Sequence, residues 1–422
     1  MHTPGPTPGL LRHPSLRRRG HTAGSVLCLA PAPHPDPLFV SGGEDGAVCL
    51  HDLRCRPTDP PAARLGVGDA GAGGVAALAW DGPTILHAAA GPAVLRLDTR
   101  LAGGGGGGGG GLASLGPAVT TLLTAADDVG GLACPAPGLL VAADDAGCVN
   151  AIQASASPSS RPPRVTPLPL LHTNLAACLV GRPSRPGEAI SGGFDCVIAR
   201  WDVAGRRCLA KWEAGACVAA AQGGGGGGGS SRPPPPSEVL NPPFVHALAA
   251  GVTCAVVRPL TGLVAAALGD GSVLLLDVAG GGGAPSTSTP RPGARAVRAR
   301  PASAAPPPPP GVLAALSAHT RAATAVAFSP APTLPWLVSG GDDGRVVVWD
   351  WRAGMVGRAR GAWAGEVGEV GEGGRQRPAV LGEVGRGRKV QAVGVCGESG
   401  SGQVVCVGDT GRGVGVWEVG EG

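Results

Sequence analysis

The chain contains short stretches in which apolar and polar residues alternate, the pattern of strands that bury one side. Three such stretches follow the motif Ser-Gly-Gly-X-Asp, which begins at Ser41, Ser191 and Ser339. Glycine and aspartate favour tight turns, so each copy predicts a strand, a turn and a second strand. The sequence therefore predicts a fold built mainly of short antiparallel strands.

Further polar positions recur at fixed distances around this motif. A histidine precedes the turn aspartate by 23 or 24 residues, a ring side chain follows it by six, and a second aspartate comes next. Because a buried donor needs an acceptor, we expect the turn aspartate to bind the imidazole and the serine to link the imidazole to the second ring. The three sets are His21, Ser41, Asp45 and His51; His172, Ser191, Asp195 and Trp201; and His319, Ser339, Asp343 and Trp349.

Four further segments keep the alternation with only part of the polar set. In one of them Asp270 lies 24 residues after His246, and Ala266 replaces the serine. With the three complete copies they make seven units of one kind. The expected units span about 20–54, 72–100, 118–154, 168–205, 240–279, 316–352 and 381–419, after an N-terminal extension, 1–19.

The recurring Gly-His, Ser, turn-Asp and Trp-Asp positions resemble those of the WD-repeat (WD40) family. The resemblance implies an all-β fold, a seven-bladed WD-repeat β-propeller over residues 20–419. A blade cannot bury both faces unless its neighbours stack on it, so the ring must close. The resemblance implies that part of the extension 1–19 completes the last blade. The Gly/Pro-rich stretches are expected to be disordered loop insertions, at about 101–117, 218–238, 280–312 and 353–380.

Three units end in an aspartate that is followed two places later by an arginine: Asp52 and Arg54, Asp98 and Arg100, and Asp350 and Arg352. These endings resemble the WDxR box, which in WD-repeat substrate receptors of cullin-4 RING ubiquitin ligases contacts the damaged-DNA-binding adaptor. The resemblance implies an adaptor-binding role for them. The alternative is that they are ordinary strand ends in an arginine-rich chain.

Motifs for catalysis are absent from the sequence. No HExxH, GxSxG or phosphate-loop motif occurs, and the acidic pairs fall in predicted turns. Cys49, His51 and Cys55 lack a fourth metal ligand, and His51 occupies the repeat's tryptophan position. The sequence therefore predicts a non-enzymatic protein-interaction scaffold without cofactor or metal. It is either a cullin-4 substrate receptor or a binding subunit of another intracellular complex, for chromatin, trafficking or RNA processing.

Charge and cysteine content bear on partners and location. A net charge of +4 over 422 residues is too small to direct the whole chain to nucleic acid, and the Arg-rich stretch 291–300 lacks aromatic residues for base stacking. The 12 cysteines include no CxxC pair, and no apolar run reaches the roughly 18 residues of a membrane span. We expect a soluble, monomeric propeller in the cytoplasm or nucleus, with proteins as partners. The alternative is an organellar transit peptide, because four arginines precede Asp36, the first acidic residue.

Overall fold

The computed structural model describes residues 16–33, 37–56, 58–67, 73–100, 119–154, 162–223, 241–251, 262–279, 311–317, 319–330, 336–351, 379–385, 388–396 and 403–419. Within these ranges the chain forms 28 strands and one helix. The strands make seven four-stranded antiparallel sheets. The expected all-β, seven-bladed β-propeller is therefore confirmed.

Six blades use four strands that are consecutive in sequence, and the seventh combines both ends of the chain. Blade 1 comprises β2 (Val26–Pro31), β3 (Leu38–Gly43), β4 (Ala47–Asp52) and β5 (Ala63–Gly66); blade 2 comprises β6 (Val75–Asp81), β7 (Ile85–Ala90), β8 (Ala93–Asp98) and β9 (Val119–Thr124); blade 3 comprises β10 (Val129–Ala136), β11 (Leu139–Asp144), β12 (Val149–Gln153) and β13 (Arg164–Pro167). Blade 4 comprises β14 (Cys178–Gly181), β15 (Glu188–Gly192), β16 (Val197–Asp202) and β17 (Arg207–Glu213), and is followed by α1 (Ala214–Gly223). Blade 5 comprises β18 (Val245–Ala250), β19 (Leu263–Leu268), β20 (Ser272–Asp277) and β21 (Val312–Ser317); blade 6 comprises β22 (Ala323–Phe328), β23 (Trp336–Gly341), β24 (Arg345–Asp350) and β25 (Ala379–Gly385). Blade 7 comprises β26 (Val390–Cys396), β27 (Gln403–Asp409), β28 (Gly413–Val419) and the N-terminal strand β1 (Leu16–Arg19).

The first strand of each of blades 1 to 6, together with β26 of blade 7, surrounds a central channel. Each of these seven strands contacts the next around a closed ring. Each contributes three consecutive residues to the wall of a narrow cavity of about 200 Å³. The seven blades are therefore arranged about one axis.

The apolar core is divided among the interfaces between neighbouring blades. The described residues form seven clusters of buried side chains, one at each interface. Trp201 lies in the cluster between blades 3 and 4, Trp349 between blades 5 and 6, and Phe39 between blades 7 and 1. Burial therefore comes from the stacking of blades, as the repeat pattern requires.

The ring closes where the two ends of the chain meet in blade 7. Strand β1 pairs antiparallel with β28, from Leu16 opposite Val416 to Arg19 opposite Gly413. The Arg18 side chain points into the protein, and the residue is 5% exposed. Its Nη2 donates to the carbonyl oxygens of two blade 1 residues beyond β4, at distances of 2.7 and 3.3 Å. Arg18 therefore joins blade 7 to blade 1.

Each of the two glycines of the Ser-Gly-Gly motif is required for a different steric reason. A Cβ on the first would collide with a valine of the following blade, and a Cβ on the second would collide with the histidine ring and the turn aspartate. The motif therefore permits close packing between blades and leaves room for the imidazole. The first-glycine pairs are Gly42 and Val75, Gly192 and Val245, and Gly340 and Val390; the second glycines are Gly43, Gly193 and Gly341.

The outermost strands of the blades correct the expected unit boundaries. Strand β9 belongs to blade 2, although the sequence places its residues at the start of the unit 118–154. Strands β5, β13, β17, β21 and β25 likewise lie partly or wholly outside the expected units. An outer strand carries little of the alternating apolar pattern because few of its side chains are buried, as in β9 and β13.

Helix α1 corrects a second expectation. It occupies the start of the stretch 218–238, which composition predicts as a disordered insertion. Its Cys217 and Val218 are buried in the cluster between blades 4 and 5, and its alanine-rich sequence has high helix propensity. Most of the other three expected insertions, about 101–117, 280–312 and 353–380, lies outside the described residues. No helix in the described ranges has the length and hydropathy to cross a bilayer.

Candidate functional site

Blade 6 contains a buried chain of hydrogen bonds that starts at its turn carboxylate. His319 Nδ1 lies 3.1 Å from Asp343 Oδ1, and His319 Nε2 lies 2.8 Å from Ser339 Oγ. The same Oγ lies 2.9 Å from Trp349 Nε1. A proton on Nδ1 donates to the carboxylate, the serine hydroxyl donates to Nε2, and the indole N–H donates to the serine oxygen. Each of these groups therefore has a partner inside the blade.

Blade 4 contains the same arrangement. Ser191 Oγ lies 2.7 Å from His172 Nε2 and 2.8 Å from Trp201 Nε1, and His172 Nδ1 lies 3.1 Å from Asp195. The carboxylate also accepts the backbone N–H of Thr173 at 3.0 Å. The set therefore ties the loop that enters a blade to the turn between the second and third strands of that blade.

Blade 1 replaces the tryptophan by His51. Its Nε2 lies 2.9 Å from Ser41 Oγ, which also lies 2.9 Å from His21 Nε2. The His51 ring stacks on Phe39 of the neighbouring strand, with ring centroids 4.6 Å apart. Ala189 and Leu337 occupy the positions of Phe39 opposite the two tryptophans, so a larger partner compensates for the smaller ring.

Burial makes His51 sensitive to acid, because a protonated imidazole there loses its hydration. Desolvation, followed by the nearby charges of His21 and Arg18, lowers the pKa of His51 to about 3 from 6.5. In the same blade, Asp45 loses solvation on burial, which raises its pKa. Hydrogen bonds from His21, Thr22 and Arg64 more than offset this, and the pKa falls to about 2.

We predict that the protein becomes less sensitive to acid when Phe39 and His51 are replaced by the leucine and tryptophan that occupy these positions in blade 6. Because the pKa of His51 is lower in the folded state, the stability it contributes is fully present above about pH 6.5 and is lost as the pH falls toward 3. From about pH 7 to about pH 5, Phe39→Leu/His51→Trp should lose about 2 kcal/mol less unfolding free energy than the wild type. Denaturant titrations at both pH values measure this, and parallel losses in the two proteins would contradict it.

The sequence places His246 in a fourth set of this kind, and the structure corrects that assignment. His246 lies within β18 and packs edge-on against Phe194 of blade 4. Asp270 instead accepts the N–H and hydroxyl of Ser272, at 2.9 and 2.6 Å. The connection between the first and second strands is six residues longer in blade 5 than in blade 1. The matching separation of 24 residues is therefore coincidental.

The aspartates that end the third strands form turns, and two of them hold the arginine that follows. Asp52 accepts the backbone N–H of Arg54 at 2.9 Å, and its carboxylate receives Nε and Nη2 of the same residue at 2.9 and 2.7 Å. Asp98 and Arg100 repeat this geometry, with side-chain distances of 2.9 and 2.6 Å. The hydrogen bonds from these arginines lower the pKa of both carboxyl groups. Each guanidinium is therefore oriented by its own strand end.

The turn does not depend on the arginine. In blade 5, Asp277 accepts the backbone N–H of Ala279 at 2.9 Å, and no arginine lies two places after it. In blade 4, Asp202 accepts the N–H of Gly205 at the same distance and pairs with Arg207, five places later. The strand-end aspartates therefore have a structural role in several blades, and the arginines are additions to it. Asp350 ends β24 in the same way, whereas Arg352 lies outside the described residues.

The two kinds of aspartate mark opposite faces of the ring. Asp45 precedes β4 and Asp52 ends it, and six strand residues span roughly 20 Å. The third strands of all blades occupy equivalent positions, so the turn aspartates share one face and the aspartate–arginine ends share the other. We name them the turn face and the arginine face.

The described residues contain no group of three or more metal-ligating side chains. The histidine–serine–aspartate sets and the aspartate–arginine strand ends are each held by hydrogen bonds within the propeller. Residues 13–52 and 311–350 match the family described as WD domain, G-beta repeat. Each match runs from the outer strand of one blade, β1 or β21, to the third strand of the next. No curated protein matches the chain. The protein is thus a seven-bladed β-propeller in which these two segments are similar to WD40 repeats.

Proposed function

We propose that this propeller is a non-enzymatic scaffold that docks through its arginine face on the damaged-DNA-binding adaptor of a cullin-4 RING ubiquitin ligase. The observation that carries the proposal is the paired geometry of Arg54 and Arg100. They stand on adjacent blades, both side chains are 67% exposed, and each is clamped by its own aspartate. The resemblance of these endings, and of Asp350-Trp351-Arg352, to the WDxR box supplies the partner class.

Clamping favours binding because it fixes a long side chain before a partner arrives. A free arginine loses rotamer entropy when it is immobilised at an interface, and a preorganised guanidinium loses less. In Arg100, Nε and Nη2 are used by Asp98, and Nη1 has no partner among the described residues. A backbone carbonyl or carboxylate of the adaptor could accept from it in the plane of the fork.

The order of strongly and weakly marked repeats along the chain resembles WD repeat-containing protein 53. The second candidate function is a binding subunit of another intracellular complex, in chromatin, trafficking or RNA processing. It is favoured by the turn at Asp277, which forms without an arginine. An intracellular location, cytoplasm or nucleus, belongs to both proposals, and the free thiols of the 11 described cysteines support it.

Affinity purification from cultured cells separates the two functions. Full-length wild type should recover the adaptor and cullin-4, and Arg54→Ala/Arg100→Ala/Arg352→Ala should recover about tenfold less. The matched control, Arg19→Ala/Arg388→Ala/Arg412→Ala, removes the same charge elsewhere and should recover wild-type amounts. Melting curves should show that both variants are folded. If wild type recovers no adaptor, or the first variant recovers as much as wild type, the ligase proposal fails and the second candidate remains.

A further inference from the structure

A pocket lined by arginines lies where blade 7 meets blade 1, on the turn face. Its volume is about 670 Å³. The wall is formed by β1 and the segment that follows it, by the turn between β27 and β28, and by Arg388 before β26. No acidic residue of the described chain lines the pocket. Four of its lining residues are arginines: Arg17, Arg19, Arg388 and Arg412.

Most of the positive charge in this pocket is unneutralised. Arg17 pairs with the buried Asp409. Arg19, Arg388 and Arg412 are exposed and have no carboxylate partner within the parts of the chain that the structure describes. Elsewhere on the surface, Arg54, Arg100 and Arg207 each pair with a neighbouring aspartate. The pocket therefore holds a cluster of cations without a carboxylate partner in the described chain, unlike these three aspartate-paired arginines.

The arrangement of the loops brings these side chains together. A Cβ at Gly411 would collide with the guanidinium groups of Arg17 and Arg388, so both side chains converge on the same glycine. Arg388 precedes β26, and Arg412 lies in the turn before β28. Closure of the ring by β1 then adds Arg17 and Arg19 from the other end of the chain. Asp409 neutralises one of the four charges, and a bound anion would relieve the repulsion among the remaining three.

We propose that this pocket binds a phosphorylated serine or threonine in an extended peptide segment of a partner protein. A phosphate group carries close to two negative charges and three acceptor oxygens, which match planar guanidinium donors. The volume is suited to a few peptide residues. Thr410 also lines the pocket.

A peptide fits this wall better than a nucleic acid does. Base stacking needs aromatic faces, and the only ring among the described lining residues is that of His21. That ring is held by Asp45 and Ser41 inside blade 1. The proposal rests on the chain being an interaction scaffold and does not depend on the adaptor, because the pocket lies on the face opposite Arg54 and Arg100.

The test is a fluorescence-anisotropy titration of the full chain at about 0.15 M salt. The probes are a fluorescein-labelled peptide, Gly-Ala-pSer-Gly-Ala-pSer-Gly, and its unphosphorylated form. Wild type should bind the phosphopeptide about tenfold more tightly than the unphosphorylated peptide. Arg19→Ala/Arg388→Ala/Arg412→Ala should lose about tenfold in phosphopeptide affinity, whereas Arg54→Ala/Arg100→Ala/Arg207→Ala, with the same loss of charge, should bind like wild type.

A second variant, Arg19→Gln/Arg412→Gln, also keeps Arg388 and tests the same point if the triple variant melts early. Equal affinity for the two peptides in wild type would overturn the proposal, and so would equal weakening in the two triple variants. A single-stranded oligouridylate that competes more strongly than unlabelled phosphopeptide would also overturn it, in favour of nucleic acid. Failure here leaves adaptor recovery unaffected, so the two proposals fail separately.

Discussion

Replacing Asp343 by alanine should lower the free energy of unfolding by about 3 kcal/mol, whereas Asp270→Ala should lower it by about 1 kcal/mol. Asp343 accepts the His319 Nδ1 proton at 3.1 Å and the backbone N–H groups of Thr320 and Arg345 at 2.9 and 3.1 Å. The His319 side chain is fully buried, so loss of the carboxylate leaves a donor without its acceptor in a dry environment. Asp270 is exposed, and among the described residues it binds only Ser272, within its own turn.

Denaturant titrations of the two variants against wild type measure the difference. Asp343→Asn is the matched control, because its amide oxygen can still accept one of these protons, and it should fall between Asp343→Ala and wild type. Equal destabilisation by Asp343→Ala and Asp270→Ala would show that the histidine network does not stabilise blade 6.

Removing residues 1–19 should open the ring and cost on the order of 5 kcal/mol. Strand β28 would lose its backbone partner from Leu16 to Arg19, and two carbonyl oxygens of blade 1 would lose the buried Arg18 guanidinium. The exposed edge of β28 would then be available to pair with other chains. We therefore expect a lower melting temperature together with aggregation in light scattering.

The matched variant lacks residues 1–15 only and keeps β1. It should melt and scatter light like the full chain. A chain without residues 1–19 that melts with the full chain would contradict closure of blade 7 by β1.

The features that the sequence predicts are those that depend on short, repeated spacings. His319, Ser339, Asp343 and Trp349 recur as a set because each side chain satisfies the next, and the structure places them in hydrogen-bond contact. The number of blades could be predicted from the same periodicity. His246 shows the limit of this reasoning, because a longer loop between β18 and β19 can reproduce a spacing without reproducing the contact.

Features that depend on ring closure could not be predicted in this way. Arg19 and Arg412 lie at opposite ends of the chain, and only the pairing of β1 with β28 brings them to one pocket. Arg18 has no counterpart in the other repeats, because only blade 7 combines strands from the two ends of the chain. Helix α1 was missed because its alanines follow no alternating pattern and pack at a junction between blades.

The central claim is that the arginine face is a docking surface, and a direct titration with purified adaptor tests it most closely. Biolayer interferometry with the immobilised full chain should give saturable adaptor binding. The Kd should rise about tenfold in Arg54→Ala/Arg100→Ala and stay within about twofold of wild type in Arg19→Ala/Arg412→Ala. Absence of saturable binding to wild type, or an equal rise in Kd in both variants, would contradict the claim.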